Sequence, residues 1–237
     1  MIAIAILGFL SAVQQPAPPP PARRVHVTLD LGFVNASGNS DVTSFNLGEK
    51  LTWQRKRVTL IQTVKVLYGA TDGSTTTESY EAGTRAQYAV SSRLGAFALL
   101  TFQRDPFAGV ASRWFGGPGV SAAVVQAARD TLVIETGVAG QRERSITNVT
   151  QSFAAVRTAA SFKHRLGATA FLTENMEWVA NLKVSGDQRV NSETALTAPL
   201  SQQIAVRVAY VIRFDHLPEP GFKTTDRILT TGVQVAF

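Results

Sequence analysis

Residues 204–214 read Ile-Ala-Val-Arg-Val-Ala-Tyr-Val-Ile-Arg-Phe, with a large apolar side chain at every even-numbered position. Arg207 and Arg213 lie at odd-numbered positions between them. Successive side chains of a strand point to opposite faces, so a period of two indicates a strand with one apolar and one polar face. This stretch therefore predicts a β-strand whose polar face carries both arginines.

The same period recurs along most of the chain. Residues 25–34 and 229–237 alternate in this way, and no long segment has a convincing helical period. Several candidate strands exceed the roughly 5–6 residues usual in a soluble sheet and match the roughly 9–11 residues of a tilted membrane-spanning strand. Twelve strands are predicted, at residues 25–36, 43–54, 57–68, 79–89, 94–104, 118–127, 130–140, 151–162, 166–177, 187–198, 202–214 and 226–237.

The composition limits the classes of protein to which this chain can belong. The chain has 237 residues, of which 45% are apolar and 17% charged, with a formal net charge of +6 and no cysteine. The apolar fraction is too high for a disordered chain. The absence of cysteine excludes a disulfide scaffold, a thiolate metal site, a cysteine nucleophile and a lipoprotein anchor. The length allows one large domain or two small ones.

The first residues are not expected to belong to the fold. Residues 1–13 are almost wholly apolar, which is too short for a membrane-spanning helix of about 20 residues and suits a secretory signal peptide. No Lys or Arg precedes this run, and a buried strand is the alternative. A proline-rich stretch follows at residues 14–22. We therefore predict a signal peptide and spacer over residues 1–22 and one domain over residues 23–237.

The predicted connections alternate in length, which is typical of outer-membrane barrels with short periplasmic turns and long surface loops. Short connections are predicted near residues 55–56, 90–93, 128–129, 163–165 and 199–202. Longer polar connections are predicted at residues 37–42, 69–79, 105–117, 141–150, 179–186 and 215–225. Because hydrocarbon cannot satisfy backbone polar groups, a sheet in lipid must close on itself. The prediction is an all-β fold, a single antiparallel transmembrane β-barrel of about 12 strands in the bacterial outer membrane.

The polar faces of these strands would line the lumen. Glu49 is a misfit, because it shares parity with apolar residues that would face lipid. Basic residues are in modest excess among the predicted lumen residues, which favours a slight preference for anions. The main lumen candidates are Lys50, Arg85, Glu135, Arg207 and Arg213. Asp30, Lys65, Glu81, Arg157 and Glu193 share the same faces.

Phe237 ends the last alternating strand. Bacterial outer-membrane barrels typically end on an aromatic residue, which the assembly machinery is thought to read. We therefore predict two partners, outer-membrane lipid and the barrel-assembly machinery, the latter through the C-terminal strand with Phe237 as the signal. The oligomeric state is left open by the sequence.

Three ordered motifs resemble those of a bacterial family of unknown function. They are residues 31–41, Leu-Gly-Phe-Val-Asn-Ala-Ser-Gly-Asn-Ser-Asp; residues 104–119, from Arg-Asp-Pro-Phe-Ala-Gly to Gly-Pro-Gly; and residues 215–226, from Asp-His-Leu-Pro to Thr-Thr-Asp. Members of this family are described as salt-induced outer membrane proteins (YdiY-like). The resemblance implies an outer-membrane barrel but brings no agreed substrate or catalytic site.

Residues in these motifs are the candidate loop or pore-mouth residues. Asp105 with Arg104 and Arg113 is expected either to form an ion pair that fixes a loop or to line a pore mouth. Asp215 and His216 invite a catalytic interpretation, but no nucleophile or second carboxylate stands out near His216. We therefore expect no enzyme activity, no cofactor and no metal site.

The high pI of about 10.0 raises the possibility of nucleic-acid binding. The basic residues are scattered, however, and the longest run is Arg55-Lys56-Arg57, in a turn predicted to contact headgroups or solvent on the periplasmic side. No platform of interleaved basic and aromatic residues is present. No nucleic-acid partner is predicted.

Three functions remain open at this point. The first is a narrow channel or permeability factor, with surface loops that fold inward. The second is a plugged structural or envelope-stress barrel without transport. The third is a soluble periplasmic β-barrel that binds a ligand, which would have its apolar residues inside.

Overall fold

The computed structural model describes residues 25–36, 42–167 and 169–237, so the predicted signal peptide and spacer lie outside the described residues. The described chain forms twelve strands and one short 3-10 turn, Pro106–Ala108. No helix in these ranges is long and apolar enough to cross a membrane. The strands are β1 Val25–Ala36, β2 Val42–Arg55, β3 Val58–Thr71, β4 Ser74–Ala89, β5 Leu94–Asp105, β6 Val110–Gln126, β7 Asp130–Ser145, β8 Thr150–Leu166, β9 Ala170–Asn181, β10 Gln188–Pro199, β11 Ile204–Asp215 and β12 Thr225–Ala236.

The strands form one closed antiparallel barrel. Each strand pairs with its neighbours in sequence, and β1 pairs with β12 from Thr28↔Ala236 to Leu31↔Val233. The backbone of Phe237 continues this seam through two hydrogen bonds with Val27. The predicted fold class and the twelve strands are confirmed.

One predicted loop is wrong. Residues 69–79 were expected to form a long loop, but β3 continues to Thr71 and β4 begins at Ser74. Asp72 and Gly73 alone form the turn, with φ of +49° and +75°. Asp-Gly suits a two-residue hairpin whose residues need positive φ, and the β-branched threonines that follow favour a strand.

Two other loops are also shorter than predicted, because the strands beside them continue into the predicted loop residues. β6 begins at Val110 and β7 extends to Ser145, so polar strand ends replace parts of the expected loops 105–117 and 141–150. We call the end with the connections 72–73, 106–109, 146–149, 182–187 and 216–224 the loop end. The opposite end, where β1 begins and β12 finishes, is the short-turn end. The difference in length between the connections at the two ends is therefore smaller than the sequence predicts.

The outer surface of the barrel is apolar and the interior is polar. Large apolar side chains on alternate residues are exposed on the outside, among them Leu100, Val120, Val138, Leu229 and Val233. This is the arrangement expected for a barrel in lipid, where outward residues meet hydrocarbon. It is the opposite of the arrangement that the soluble alternative predicts.

Glu49 faces outward, as its parity predicts. The register places it opposite Leu29 and Val64, without a register shift between these strands. One of its carboxylate oxygens is buried and has no hydrogen-bond partner. A second outward carboxylate, Glu174, accepts hydrogen bonds from the hydroxyls of Ser192 and Thr194 on the neighbouring strand.

Candidate functional site

The lumen is the candidate functional site, because the closed barrel directs charged side chains from most of its strands into one space. The register places all five main lumen candidates on inward positions: Lys50, Arg85, Glu135, Arg207 and Arg213. Three groups of ion pairs contain Arg85, Glu135, Arg207 and Arg213, and a further cluster lies beside the third group.

The first group joins strands β4, β7, β8 and β9. A terminal nitrogen of Arg85 lies 2.7 Å from Glu135, and Arg157 contacts the same carboxylate at 2.9 Å. Arg157 also donates to Glu177 at 2.6 Å. The Arg85 guanidinium lies 3.9 Å from the centre of the Phe97 ring, which is within the range of a cation–π interaction. Two arginines therefore share one carboxylate on this part of the wall.

The second group crosses the lumen between strands that do not pair. Lys65 on β3 contacts Glu193 on β10 at 3.4 Å. Arg207 on β11 contacts the other oxygen of the same carboxylate at 2.7 Å. This group has one more basic than acidic residue.

The third group crosses the lumen at the loop end. Arg213 on β11 donates to Asp105 on β5 at 2.9 Å, and these strands lie opposite each other in the ring. Arg213 also approaches Ser79 at 3.5 Å and Glu81 at 4.0 Å. The same guanidinium therefore holds two sides of the barrel together.

A further cluster lies beside this crossing. Arg113 contacts Glu143 at 2.6 Å and Asp215 at 4.0 Å. Arg189 contacts Glu143 at 3.6 Å and donates to the side chain of Gln141. Side chains from β6, β7, β10 and β11 thus meet in the lumen near the loop end.

The connection of residues 216–224, which we call the mouth loop, reaches the opposite wall. A β-carbon added to Gly109 would lie 3.0 Å from Glu219 Cβ and 3.3 Å from Phe222. Gly109 belongs to the β5–β6 connection, and its carbonyl accepts a hydrogen bond from Ile146 in the β7–β8 connection. Three connections therefore meet over the mouth of the barrel.

The predicted pore-mouth residues have different positions. Asp105 faces the lumen and also accepts a hydrogen bond from the backbone of Ala108. Arg113 and Asp215 face the lumen beside it, whereas Arg104 lies on the outer face and contacts Glu78 at 3.7 Å. Arg104 is thus separated from the lumen cluster by the wall.

His216 begins the mouth loop. Its backbone N–H donates to the Gln188 carbonyl, and its ring lies 6.2 Å from that of Phe214. His164 lies at the short-turn end, where it contacts Asp130 at 2.7 Å. Among the residues that the structure describes, no group of three or more His, Asp or Glu side chains is placed to hold a metal ion.

Several residues that face the lumen are absent from the set predicted from the sequence: Glu143, Glu177 and Arg189. For Glu143 the sequence does carry a signal, which is the parity of its position. Glu135, Gln141 and Glu143 fall on one face of β7 once the strand is continued to Ser145. The two acidic residues and one basic residue absent from the predicted set reduce the predicted excess of basic residues in the lumen from two to one.

The barrel is similar to outer-membrane proteins of known structure. The NanC porin has a TM-score of 0.53 at 6% identity, covering 89% of this chain and 97% of that chain. The translocator domain of the autotransporter NalP from Neisseria meningitidis has a TM-score of 0.48 at 12% identity, covering 90% and 86%. The anion-selective porin from Comamonas acidovorans has a TM-score of 0.44 at 10% identity, covering 90% and 98%.

Comparison with curated proteins finds no match for this chain. A family profile does match, over residues 29–237, and its description is "Protein of unknown function, DUF481". The match covers β1 from Leu29 onward and the other eleven strands in full.

Proposed function

This chain belongs to the DUF481 family of proteins of unknown function, and we propose that it is a narrow outer-membrane channel closed by an ion-pair constriction. The observation that carries the proposal is the contact of Arg213 with Asp105 across the lumen. A polar lumen lined by both signs of charge suits the passage of water and small ions. A bridge between opposite walls would restrict that passage.

The proposed constriction has two layers at the loop end. The mouth loop extends to Gly109 on the opposite wall, and the Arg213–Asp105 pair joins β11 to β5. Both layers depend on side chains and a loop rather than on a separate domain. A channel closed in this way can open through local movements while the wall remains intact.

The proposed location is the bacterial outer membrane, with the short-turn end facing the periplasm. The apolar outer surface supports contact with lipid, and short periplasmic turns are the usual arrangement in such barrels. Phe237 remains the proposed signal for the assembly machinery. No catalytic role is proposed.

A plugged structural or envelope-stress barrel is the second candidate. It is favoured by the number of ion pairs that span the lumen, because Lys65–Glu193 adds a second crossing. Twelve strands enclose a limited lumen that side chains can fill. The two candidates differ in whether breaking the crossings produces conductance.

The test is conductance of residues 23–237, refolded in detergent and inserted into a planar lipid bilayer. We expect rare or small openings of the wild type and more frequent openings of Asp105→Asn and Arg213→Gln. Arg104→Gln is the matched control, because it removes a neighbouring positive charge from the outer face. Stable insertion without conductance in all of these proteins would instead support the plugged barrel.

A further inference from the structure

The excess positive charge of the described chain lies at one end of the barrel. The short-turn end carries six basic residues in or beside its turns, Arg55, Lys56, Arg57, Arg93, Arg129 and Arg165, and one acidic residue, Asp130. The other described acidic and basic residues are equal in number. The lumen, the outer wall and the loop end together therefore contribute no net charge, and an anionic partner would be attracted to the short-turn end.

Half of these basic residues lie together in one turn beside outward aromatic side chains. Trp53 precedes the turn on β2, and Tyr88 lies on β4 opposite Val58. A groove of about 460 Å³ lies at this position, lined by Trp53, Arg55, Lys56, Arg57, Val58 and Tyr88. The groove thus has a cationic rim at the end of the barrel and an apolar floor on the lipid-facing wall.

We propose that this groove binds an anionic phospholipid of the adjacent leaflet, with the headgroup at Arg55, Lys56 and Arg57 and the acyl chains along Trp53 and Tyr88. Basic side chains near a membrane surface attract anionic headgroups, and Trp and Tyr occupy the boundary between headgroups and hydrocarbon. A soluble anion would use only the rim. A phospholipid uses both parts of the groove.

The backbone of the turn supports a role for Lys56. Its φ is +53°, a left-handed value that residues with a β-carbon adopt at a cost and that glycine adopts freely. Lysine occupies this position in a connection of only two residues, where its side chain is exposed at the groove. Replacement by glycine removes the charge and keeps the backbone conformation favourable, which gives a variant suited to the test.

The test measures which lipid contacts Trp53. Trp114 and Trp178 are replaced by Phe, and the barrel is reconstituted in vesicles of phosphatidylcholine with either brominated phosphatidylglycerol or brominated phosphatidylcholine. Bromine quenches tryptophan fluorescence on contact. We expect about five-fold stronger association of phosphatidylglycerol with Trp53, decreasing as ionic strength rises.

Two matched triple variants and one single variant separate binding at the groove from general electrostatic attraction. Arg55→Gln, Lys56→Gly and Arg57→Gln together should abolish the preference, and Lys56→Gly alone should weaken it. Lys183→Gln, Lys223→Gln and Arg227→Gln remove the same number of positive charges at the loop end and should leave it unchanged. Equal quenching of Trp53 by the two brominated lipids would overturn the proposal. An equal loss of the phosphatidylglycerol preference in both triple variants would also overturn it.

The result does not depend on conductance, because the assay reads lipid contact in any folded barrel. A variant that retains Trp178 as its single tryptophan provides the positional control. Trp178 lies on the outer face near the loop end. A phosphatidylglycerol preference of the same size at Trp178 would contradict a site at the groove.

Discussion

Lys65 and Glu193 meet at 3.4 Å across the lumen, although they lie on β3 and β10, which do not pair. The lysine side chain is 55% exposed and the glutamate 21%. The lysine side chain is therefore accessible within the lumen while it contacts a carboxylate that Arg207 also holds. Such a pair affects the electrostatic potential of the lumen more than the stability of the fold.

This relationship predicts the effect of Lys65→Met. Removing the charge leaves Glu193 with Arg207 and makes the potential of the lumen more negative. We expect the reversal potential in a salt gradient to shift towards cation selectivity, while the free energy of unfolding changes by less than about 1 kcal/mol. Lys183→Met, in a connection at the loop end, is the control and should leave selectivity unchanged. An unchanged reversal potential in Lys65→Met would place the conducting path elsewhere.

Glu135→Gln is predicted to destabilise the barrel. The substitution leaves Arg85 and Arg157, whose side chains are 17% and 12% exposed, without their shared carboxylate. Arg157 keeps its contact with Glu177, but Arg85 loses its carboxylate partner. Buried charges without partners are costly, so we expect the free energy of unfolding to fall by about 1–3 kcal/mol, measured by urea unfolding followed by tryptophan fluorescence.

The double variant Arg85→Met and Glu135→Met provides the comparison. It removes a charge of each sign, so its loss should be smaller than that of Glu135→Gln. An equal or larger loss in the double variant would show that packing, rather than charge pairing, dominates at this position.

Gly109→Ala is predicted to displace the mouth loop. The new methyl group would meet Glu219 Cβ at 3.0 Å, and φ at Gly109 is +78°. We expect a higher open probability in bilayer recordings and faster proteolysis of residues 216–224. Gly221→Ala is a close control, since φ there is +92° and nothing lies within 4 Å of an added β-carbon. If both variants open the channel equally, backbone strain rather than contact with Gly109 controls the loop.

Glu49→Leu is predicted to stabilise the barrel in lipid. Its outward carboxylate has an oxygen that is buried without a hydrogen-bond partner, and leucine would remove this cost. We expect the free energy of unfolding to rise by about 1–2 kcal/mol in vesicles. Glu174→Leu should give a smaller gain, because it also removes the hydrogen bonds from Ser192 and Thr194. A fall in stability for Glu49→Leu would indicate that the carboxylate has a partner in the membrane.

The strands could be predicted because strict alternation separates the apolar outer face of the barrel from its polar interior. Residues 204–214 present one apolar face to the outside, so the pattern at this strand fixes both its type and its orientation. The polar strand ends at the loop end are under no such constraint. Glu143 and Arg144 extend β7 through paired backbone and charged side chains, which have the composition of a loop.

The contacts across the lumen could not be predicted for a different reason. Parity places Arg213 and Asp105 on inward faces, but the two residues are 108 positions apart in sequence. The contact between their side chains depends on the tilt and stagger of the strands that carry them. The mouth loop is a similar case, since its approach to Gly109 is set by the closed ring. Sequence spacing carries no information on either distance.

The seam between β1 and β12 has a consequence for biogenesis. The edge of β1 at Thr28–Leu31 finds its partner only when Val233–Ala236 has been synthesised. Until then the nascent chain has two open sheet edges and an apolar surface, and both favour aggregation in water. Under the proposed outer-membrane location, we therefore expect transit through the periplasm to require a holding chaperone, with closure of the seam as the step that releases the chain from it.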